Sequence, residues 1–144
     1  MRAVVPVPIL AAALLLVALL TAGCGSGGGS TTRDAQTAVV ISLWPDGEGR
    51  SAPKTARLVC DPESGSLPDL AAACAVLASA EGRTALDPVP LDRMCTELYG
   101  GPGEVRIVGT VDGRAVDARL SRINGCEIAR WQALAALLPS NQSA

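Results

Sequence analysis

Five cysteines are the residues of this chain best suited to covalent chemistry: Cys24, Cys60, Cys74, Cys95 and Cys126. Cys24 directly follows an apolar N-terminal segment that is typical of export, which leaves an even set of four. In an exported chain, four cysteines predict a framework of two disulfides, and their spacing permits three different pairings. Zinc is the other common use of four thiols, but the chain has no Cys-x-x-Cys pair and no histidine. We therefore expect no metal site and no cofactor.

The absence of histidine also restricts the reactions that the chain could catalyse. Ser-His-Asp and Cys-His arrangements require an imidazole base. Acidic pairs such as Asp61 and Glu63 stand beside turn residues, where carboxylates are normally solvated. We therefore expect the protein not to be an enzyme. The formal net charge is −2 and the arginines are scattered along the chain, so no nucleic-acid partner is predicted.

Residues 1–23 have the pattern of an export signal. Arg2 supplies a positive charge, an apolar run extends to about Leu20, and small residues stand before Cys24. The apolar run is close to the length that spans a bilayer, so a retained membrane anchor is the competing interpretation. The small residues directly before Cys24 favour cleavage.

The sequence Thr21-Ala22-Gly23-Cys24 resembles the lipobox of bacterial lipoproteins. The resemblance implies that Cys24 is acylated and that the secreted protein is held by this lipid at the extracellular face of the cell membrane. Residues 24–35, rich in glycine and serine, then form a flexible tether. Residues 36–139 are long enough for one small domain, and residues 140–144 are predicted to be a disordered tail.

Four segments of this domain have the composition of β-strands. β-Branched and apolar residues are frequent in them, and turn residues separate them. The segments are residues 38–43, 56–60, 104–111 and 114–123. Asp112-Gly113 joins the last two and predicts a tight hairpin, whereas Ser64-Gly65-Ser66 is interpreted as a turn after the second strand.

Two segments have the period of an α-helix. The first opens with Pro68 and Asp69, which suit a first helical turn, and the second covers residues 127–138 before Pro139. The apolar residues at helical spacing are Leu70, Cys74 and Leu77 in the first and Ile128, Trp131 and Leu134 in the second. Residues 84–93 have no period and contain two prolines, so an extended connection is predicted there.

This connection leads into a loop, Met-Cys-Thr-Glu-Leu-Tyr at residues 94–99, which glycine and proline follow at residues 100–103. A cysteine, a helix-borne cysteine, Met-Cys-x-x-x-Tyr, a hairpin and Asn-x-Cys-Glu occur in that order between about residues 38 and 131. The order resembles the subtilisin inhibitor-like family of serine protease inhibitors. The resemblance implies the disulfides Cys60–Cys74 and Cys95–Cys126. The helical residues 127–138 stand where the family has a closing strand, so the predicted fold is α+β, with an antiparallel sheet of four or five strands and two helices packed on one face.

The same resemblance implies a function and a set of site residues. The chain would be a substrate-like inhibitor of a subtilisin-like or glutamate-preferring serine protease, with Glu97–Leu98 as the reactive bond. Glu97 would enter the primary specificity pocket, where family members that block subtilisin usually carry methionine or a basic residue. Asn124 matches the residue that braces the loop from beneath. The residues that would contact the protease around the bond are Met94, Cys95, Thr96, Tyr99 and Gly100.

Two further expectations concern partners. Family members often form dimers, so a homodimer is considered beside the protease and the membrane. The alternative function is that of an envelope lipoprotein that keeps this fold as a binding module and inhibits no protease. Substituting Glu97 separates the two functions, because only the inhibitor depends on that side chain.

Overall fold

The computed structural model describes residues 36–139, and the expectations for residues 1–35 and 140–144, lipidation of Cys24 among them, lie outside the described residues. The described part is an antiparallel sheet with helices packed on one face, which confirms the α+β prediction. The strands are β1 (Ala38–Trp44), β2 (Lys54–Cys60), β3 (Glu63–Gly65), β4 (Glu104–Val111) and β5 (Arg114–Leu120). The helices are α1 (Leu70–Ala78), α2 (Ala80–Leu86) and α3 (Gly125–Ala133), and a 3-10 turn (Ala135–Leu137) follows α3.

The central strand of the sheet is β1. The strand order is β3-β2-β1-β4-β5, and every neighbouring pair is antiparallel. Val39, Ile41 and Leu43 alternate along β1 toward the buried face, as the period of a half-buried strand requires. The core also contains Leu58, Ile107 and Leu120 from the other strands and Leu77, Leu86, Trp131, Leu134 and Leu137 from the helical segments.

The direction of β1 defines two ends of the domain. The strand begins beside Asp112, whose backbone N–H donates a hydrogen bond to the Thr37 hydroxyl over 3.1 Å; we call this the entry end. The strand ends at Trp44, and the next residue, Pro45, lies beside Gly103: a Cβ on Gly103 would be 3.6 Å from the Pro45 carbonyl oxygen. Because Gly103 ends the long loop before β4, we call this the loop end. The seven residues of β1 span on the order of 20 Å between the two ends.

Helix α2 was not predicted, and the extended connection expected for residues 84–93 is wrong for its first three residues, which are helical. Ser79 ends α1 and begins α2, because its side-chain oxygen accepts a hydrogen bond from the Gly82 N–H over 2.9 Å. Such a cap satisfies one of the free N–H groups of the first turn. The helix is too short to show an apolar period, so only its packing beneath α1 reveals it.

Strand β3 occupies the segment that was interpreted as a turn. Its residues pair with the end of β2, with Leu58 opposite Gly65 and Cys60 opposite Glu63. A Cβ at Gly65 would lie 2.1 Å from the Arg57 carbonyl oxygen, and the φ angle of Gly65 is +151°. The glycine that suggested a turn is therefore required by the close approach of two strands.

The remaining local predictions are confirmed with small shifts of boundary. Asp112 and Gly113 both have positive φ angles, 48° and 77°, as a tight hairpin turn requires. The strand that follows ends at Leu120 rather than at residue 123. The C-terminal helix begins at Gly125, two residues earlier than expected, and changes to a 3-10 turn after Leu134.

The two disulfides are Cys60–Cys74 and Cys95–Cys126, with Cα–Cα distances of 5.6 and 5.4 Å. This is the pairing that the family resemblance implied. The first joins the end of β2 to α1 near the entry end, and the second joins the loop to α3 near the loop end. One bridge therefore supports each end of the domain.

The outer face of the sheet is partly polar. Val40 and Val108 are exposed on it, and the Arg106 guanidinium donates two hydrogen bonds of 2.8 and 2.7 Å to the Asp117 carboxylate. These bonds hold the pKa of the Asp117 carboxyl below its usual range.

Residues 36–139 contain no helix that is both long and apolar enough to cross a bilayer.

Arg130 joins α3 to the rest of the domain. Its guanidinium donates to the carbonyl oxygens of Ala85 (2.9 Å) and Arg119 (3.1 Å) and forms a 2.8 Å ion pair with Glu127. The side chains of this pair are only 11% and 16% exposed. Both carbonyls and the carboxylate would lose their partner if the guanidinium were removed.

We therefore expect Arg130→Met to lower the free energy of unfolding by about 2–4 kcal/mol in urea titrations, because a mostly buried carboxylate and two carbonyls are left without this partner. The matched control is Arg114→Met, which removes a solvent-exposed ion pair with Asp87 and should cost less than about 1 kcal/mol. Equal losses for the two variants would contradict the role assigned to Arg130.

Candidate functional site

The candidate site lies in the long connection between α2 and β4. Residues 87–103 contain neither helix nor strand, and the middle of this loop carries large apolar side chains in solvent. Met94 is 96% exposed, Leu98 61% and Tyr99 68%. Large apolar side chains that are grouped on a surface generally mark a binding surface for another molecule.

Two backbone hydrogen bonds hold this loop against the connector, which we define as residues 121–125, from the end of β5 to the first residue of α3. The Gly125 N–H donates to the Thr96 carbonyl oxygen over 3.0 Å, and the Gly100 N–H donates to the Arg122 carbonyl oxygen over 2.7 Å. One bond lies before Glu97 and the other lies after Leu98. The predicted reactive bond is therefore located in a short exposed stretch between two fixed points.

The disulfide Cys95–Cys126 adds a covalent link on the same side as the first hydrogen bond. Cys95 stands two residues before Glu97, and Cys126 is the second residue of α3. A disulfide removes conformational freedom from the segment that it closes. The chain before Glu97 is thus held to the start of α3 by one covalent bond and one hydrogen bond.

Asn124 caps α3 in this structure. Its side-chain oxygen accepts a hydrogen bond of 2.9 Å from the Glu127 N–H, which is the ordinary role of an N-cap asparagine. Among the hydrogen bonds of residues 36–139, those that join connector and loop come from the backbones of Arg122 and Gly125. Bracing of the loop by the Asn124 side chain stays a prediction.

The side chains of Arg122 and Trp131 pack against the glycine-rich part of the loop, residues 100–103, and we call this pair the floor of the loop. The Arg122 guanidinium carbon lies 5.6 Å from the centre of the Trp131 ring, within the range of a cation–π contact. A Cβ at Gly100 would lie 3.0 Å from the Arg122 Nε, and one at Gly103 would lie 3.2 Å from the Trp131 ring. These glycines break regular structure, as the sequence indicated, and they also let the loop lie close to the floor.

Neither Arg122 nor Gly125 was identified from the sequence. Each contacts the loop through a backbone group, and every residue type except proline offers the same N–H and C=O. The structure places Thr96 and Gly100 on the loop beside the connector, where each makes a backbone hydrogen bond that depends on tertiary contact. Their contact with a protease stays a prediction. The sequence held one indirect signal, a glycine two residues before the predicted helix.

The Glu97 side chain is exposed and makes no hydrogen bond or ion pair with any residue in the described range 36–139. Within the same range, no three potential metal ligands are grouped together. The arrangement presents an exposed peptide segment with one acidic and several apolar side chains. Such a segment is suited to occupying the binding cleft of another protein.

A family model described as subtilisin inhibitor-like matches residues 35–122, which is more than half of the chain. Among solved structures, the chain is similar to Streptomyces caespitosus sermetstatin in its crystal structure with Bacillus licheniformis subtilisin. The sequence identity is 21%, the TM-score is 0.46, and the similarity covers 69% of this chain and 96% of that chain. No curated protein matches this chain.

Proposed function

Because this chain belongs to the subtilisin inhibitor-like family, we propose that its domain is a substrate-like inhibitor of a serine protease, with Glu97–Leu98 as the reactive bond. Family membership supports protease inhibition in general. The observation that carries the choice of bond is the pair of backbone hydrogen bonds on either side of it, from Gly125 to Thr96 and from Gly100 to Arg122.

The anchored loop favours tight binding because its backbone is already held in place on both sides of the bond. A flexible peptide loses conformational freedom when it enters a protease cleft, and this loss weakens its affinity. Here the residues on both sides of the bond are fixed to the connector before the protease arrives. The loop can therefore bind with a smaller entropic cost than an ordinary substrate of the same sequence.

The same anchors explain how cleavage could be slow and reversible. Attack by the protease serine on the Glu97 carbonyl carbon would form an acyl-enzyme and leave a free α-amine on Leu98. Cys95–Cys126 and the Gly125–Thr96 bond would hold the acyl side, while the Gly100–Arg122 bond would hold the amine side. The amine then stays close to the acyl carbon, and its return attack re-forms the peptide bond.

Glu97 favours a glutamate-preferring protease as the target. A carboxylate enters an apolar pocket only at a high cost in free energy, unless the pocket supplies a cation or hydrogen-bond donors. Met94 would occupy an outer hydrophobic pocket of the protease, and Leu98 and Tyr99 would lie on the leaving-group side. Their exposure leaves these apolar side chains available for such contacts.

Attachment through a lipid on Cys24 is also proposed, and the direction of β1 is compatible with it. The chain enters the domain at the entry end beside Asp112, whereas the reactive bond lies at the loop end. A tether before residue 36 would therefore be attached at the end of the domain opposite the loop. A homodimer stays a prediction for which the described residues offer no test.

The test is to mix the purified protein with subtilisin and, separately, with a glutamate-specific serine protease. Residual activity on a small chromogenic peptide gives the inhibition constant, and mass spectrometry locates any cut. We expect tight inhibition of the glutamate-specific enzyme and slow cleavage between Glu97 and Leu98. Inhibition of neither enzyme would contradict the proposal and favour the lipoprotein binding module.

A further inference from the structure

Thr96 lies so close to Gly125 that no residue with a side chain would fit at position 125 without a shift of Thr96. A Cβ built on Gly125 would lie 2.1 Å from the Thr96 Oγ1 and 3.4 Å from the Thr96 Cβ. Atoms that are not bonded do not approach to 2.1 Å, so the threonine hydroxyl occupies the volume that the missing side chain leaves free. The Gly125 N–H also donates to the Thr96 carbonyl oxygen.

The backbone conformation does not explain why glycine stands at this position. Gly125 is the first residue of α3, and it is not among the glycines with a positive φ angle. Alanine is a better helix former than glycine and would be compatible with this backbone. The contact with Thr96 is the feature of the structure that requires the absence of a side chain.

We propose that Gly125 is a positioning residue for the reactive loop, because the space left by its missing side chain seats the Thr96 hydroxyl and fixes the residue that precedes Glu97. The inference rests on the proposed inhibitory function. With a side chain at position 125, Thr96 must turn its hydroxyl away or move by about 1 Å. A displacement of that size next to a reacting bond can change a rate about 100-fold.

The test begins with Gly125→Ala. We expect the inhibition constant to rise by about 10- to 100-fold and cleavage at Glu97–Leu98 to become faster, because the residue before the bond loses its fixed position. The midpoint of thermal unfolding should be unchanged or higher, since alanine favours α3. A loss of inhibition without a loss of stability is the result that a merely structural glycine would not give.

Variants of Thr96 identify the atom responsible. Thr96→Ala removes the colliding oxygen, so adding Gly125→Ala to that variant should leave its inhibition constant within about twofold. Thr96→Ser keeps an oxygen at the γ position, so Gly125→Ala should still weaken inhibition in that background. Each double variant is compared with its own single variant, so any direct contribution of Thr96 to protease contact cancels.

Two results would overturn the inference. The first is that Gly125→Ala inhibits as well as the unaltered protein. The second is that Gly125→Ala still weakens inhibition in the Thr96→Ala background, which would place the cause within α3 rather than in the contact between Gly125 and the Thr96 hydroxyl.

Failure of the proposed function is recognised separately, because the unaltered protein would then inhibit neither protease. In that case, hydrogen-exchange protection of the residue 125 amide decides the inference without any protease. Gly125→Ala should reduce this protection, and Thr96→Ala should restore it in the double variant. Unchanged protection in Gly125→Ala would overturn the inference that Gly125 positions Thr96, whether or not the protein is an inhibitor.

Discussion

Glu97→Met is expected to transfer inhibition from a glutamate-specific protease to subtilisin. The inhibition constant for the glutamate-specific enzyme should rise at least about 100-fold, because its pocket would bury cationic or donor groups with no carboxylate to pair with them. The constant for subtilisin should fall by a similar factor, since an apolar side chain avoids the cost of burying a charge. Both constants are measured with small chromogenic substrates.

Two controls accompany this substitution. Glu97→Gln keeps the shape of the side chain and removes its charge, so it should lose most inhibition of the glutamate-specific enzyme without gaining subtilisin as fully as methionine does. Glu63→Gln removes an exposed acid on β3, away from the loop, and should leave both constants unchanged. If Glu97→Met altered neither constant, Glu97 would not be the residue that enters the primary pocket.

Removal of the Cys95–Cys126 disulfide by a double substitution to serine is expected to turn the inhibitor into a substrate. Cleavage between Glu97 and Leu98 should become about 100-fold faster, because the acyl side of the cut loop would keep only the Gly125–Thr96 hydrogen bond to the connector. The measurement is the rate at which the cut chain accumulates with catalytic amounts of protease, followed by mass spectrometry.

The matched control is the double serine variant of Cys60 and Cys74, which removes the bridge near the entry end. In the chain-entropy model the loss of unfolding free energy is about 3 kcal/mol for Cys60–Cys74, with a sequence separation of 14, and about 3.7 kcal/mol for Cys95–Cys126, with a separation of 31. The two variants are therefore comparable in stability. Only the Cys95–Cys126 variant should be cut rapidly at temperatures where both remain folded. Equally fast cleavage of the two would attribute the effect to global stability rather than to the clamp beside the reactive bond.

In these predictions, together with those for Arg130 and Gly125, inhibition depends on the connector as much as on the loop. The loop supplies the side chains that a protease would bind. The connector supplies the carbonyl of Arg122 and the N–H of Gly125, and α3 supplies Cys126. Arg130 in turn ties α3 to α2 and β5 through the carbonyls of Ala85 and Arg119.

The sequence by itself predicted the elements whose pattern is local. The apolar alternation of β1, the Asp112-Gly113 hairpin and the helical spacing of Leu70, Cys74 and Leu77 each lie within a few residues. The same chain predicted, from the order of its cysteines and through family resemblance, both disulfides and the segment that carries Glu97. These features depend on residue types, which a sequence displays directly.

Only the tertiary structure revealed β3, α2 and the two anchors of the loop. Gly65 suggested a turn, but it lies in β3, where an added Cβ would be 2.1 Å from the Arg57 carbonyl oxygen. Gly82 lies in α2, where an added Cβ would be 2.0 Å from the Val76 carbonyl oxygen. The anchors at Arg122 and Gly125 use backbone groups that nearly every residue possesses, so residue types did not identify them as contacts of the loop. They act on residues 22 and 29 positions earlier in the chain, at Gly100 and Thr96, and packing of α3 against the sheet is what brings them there.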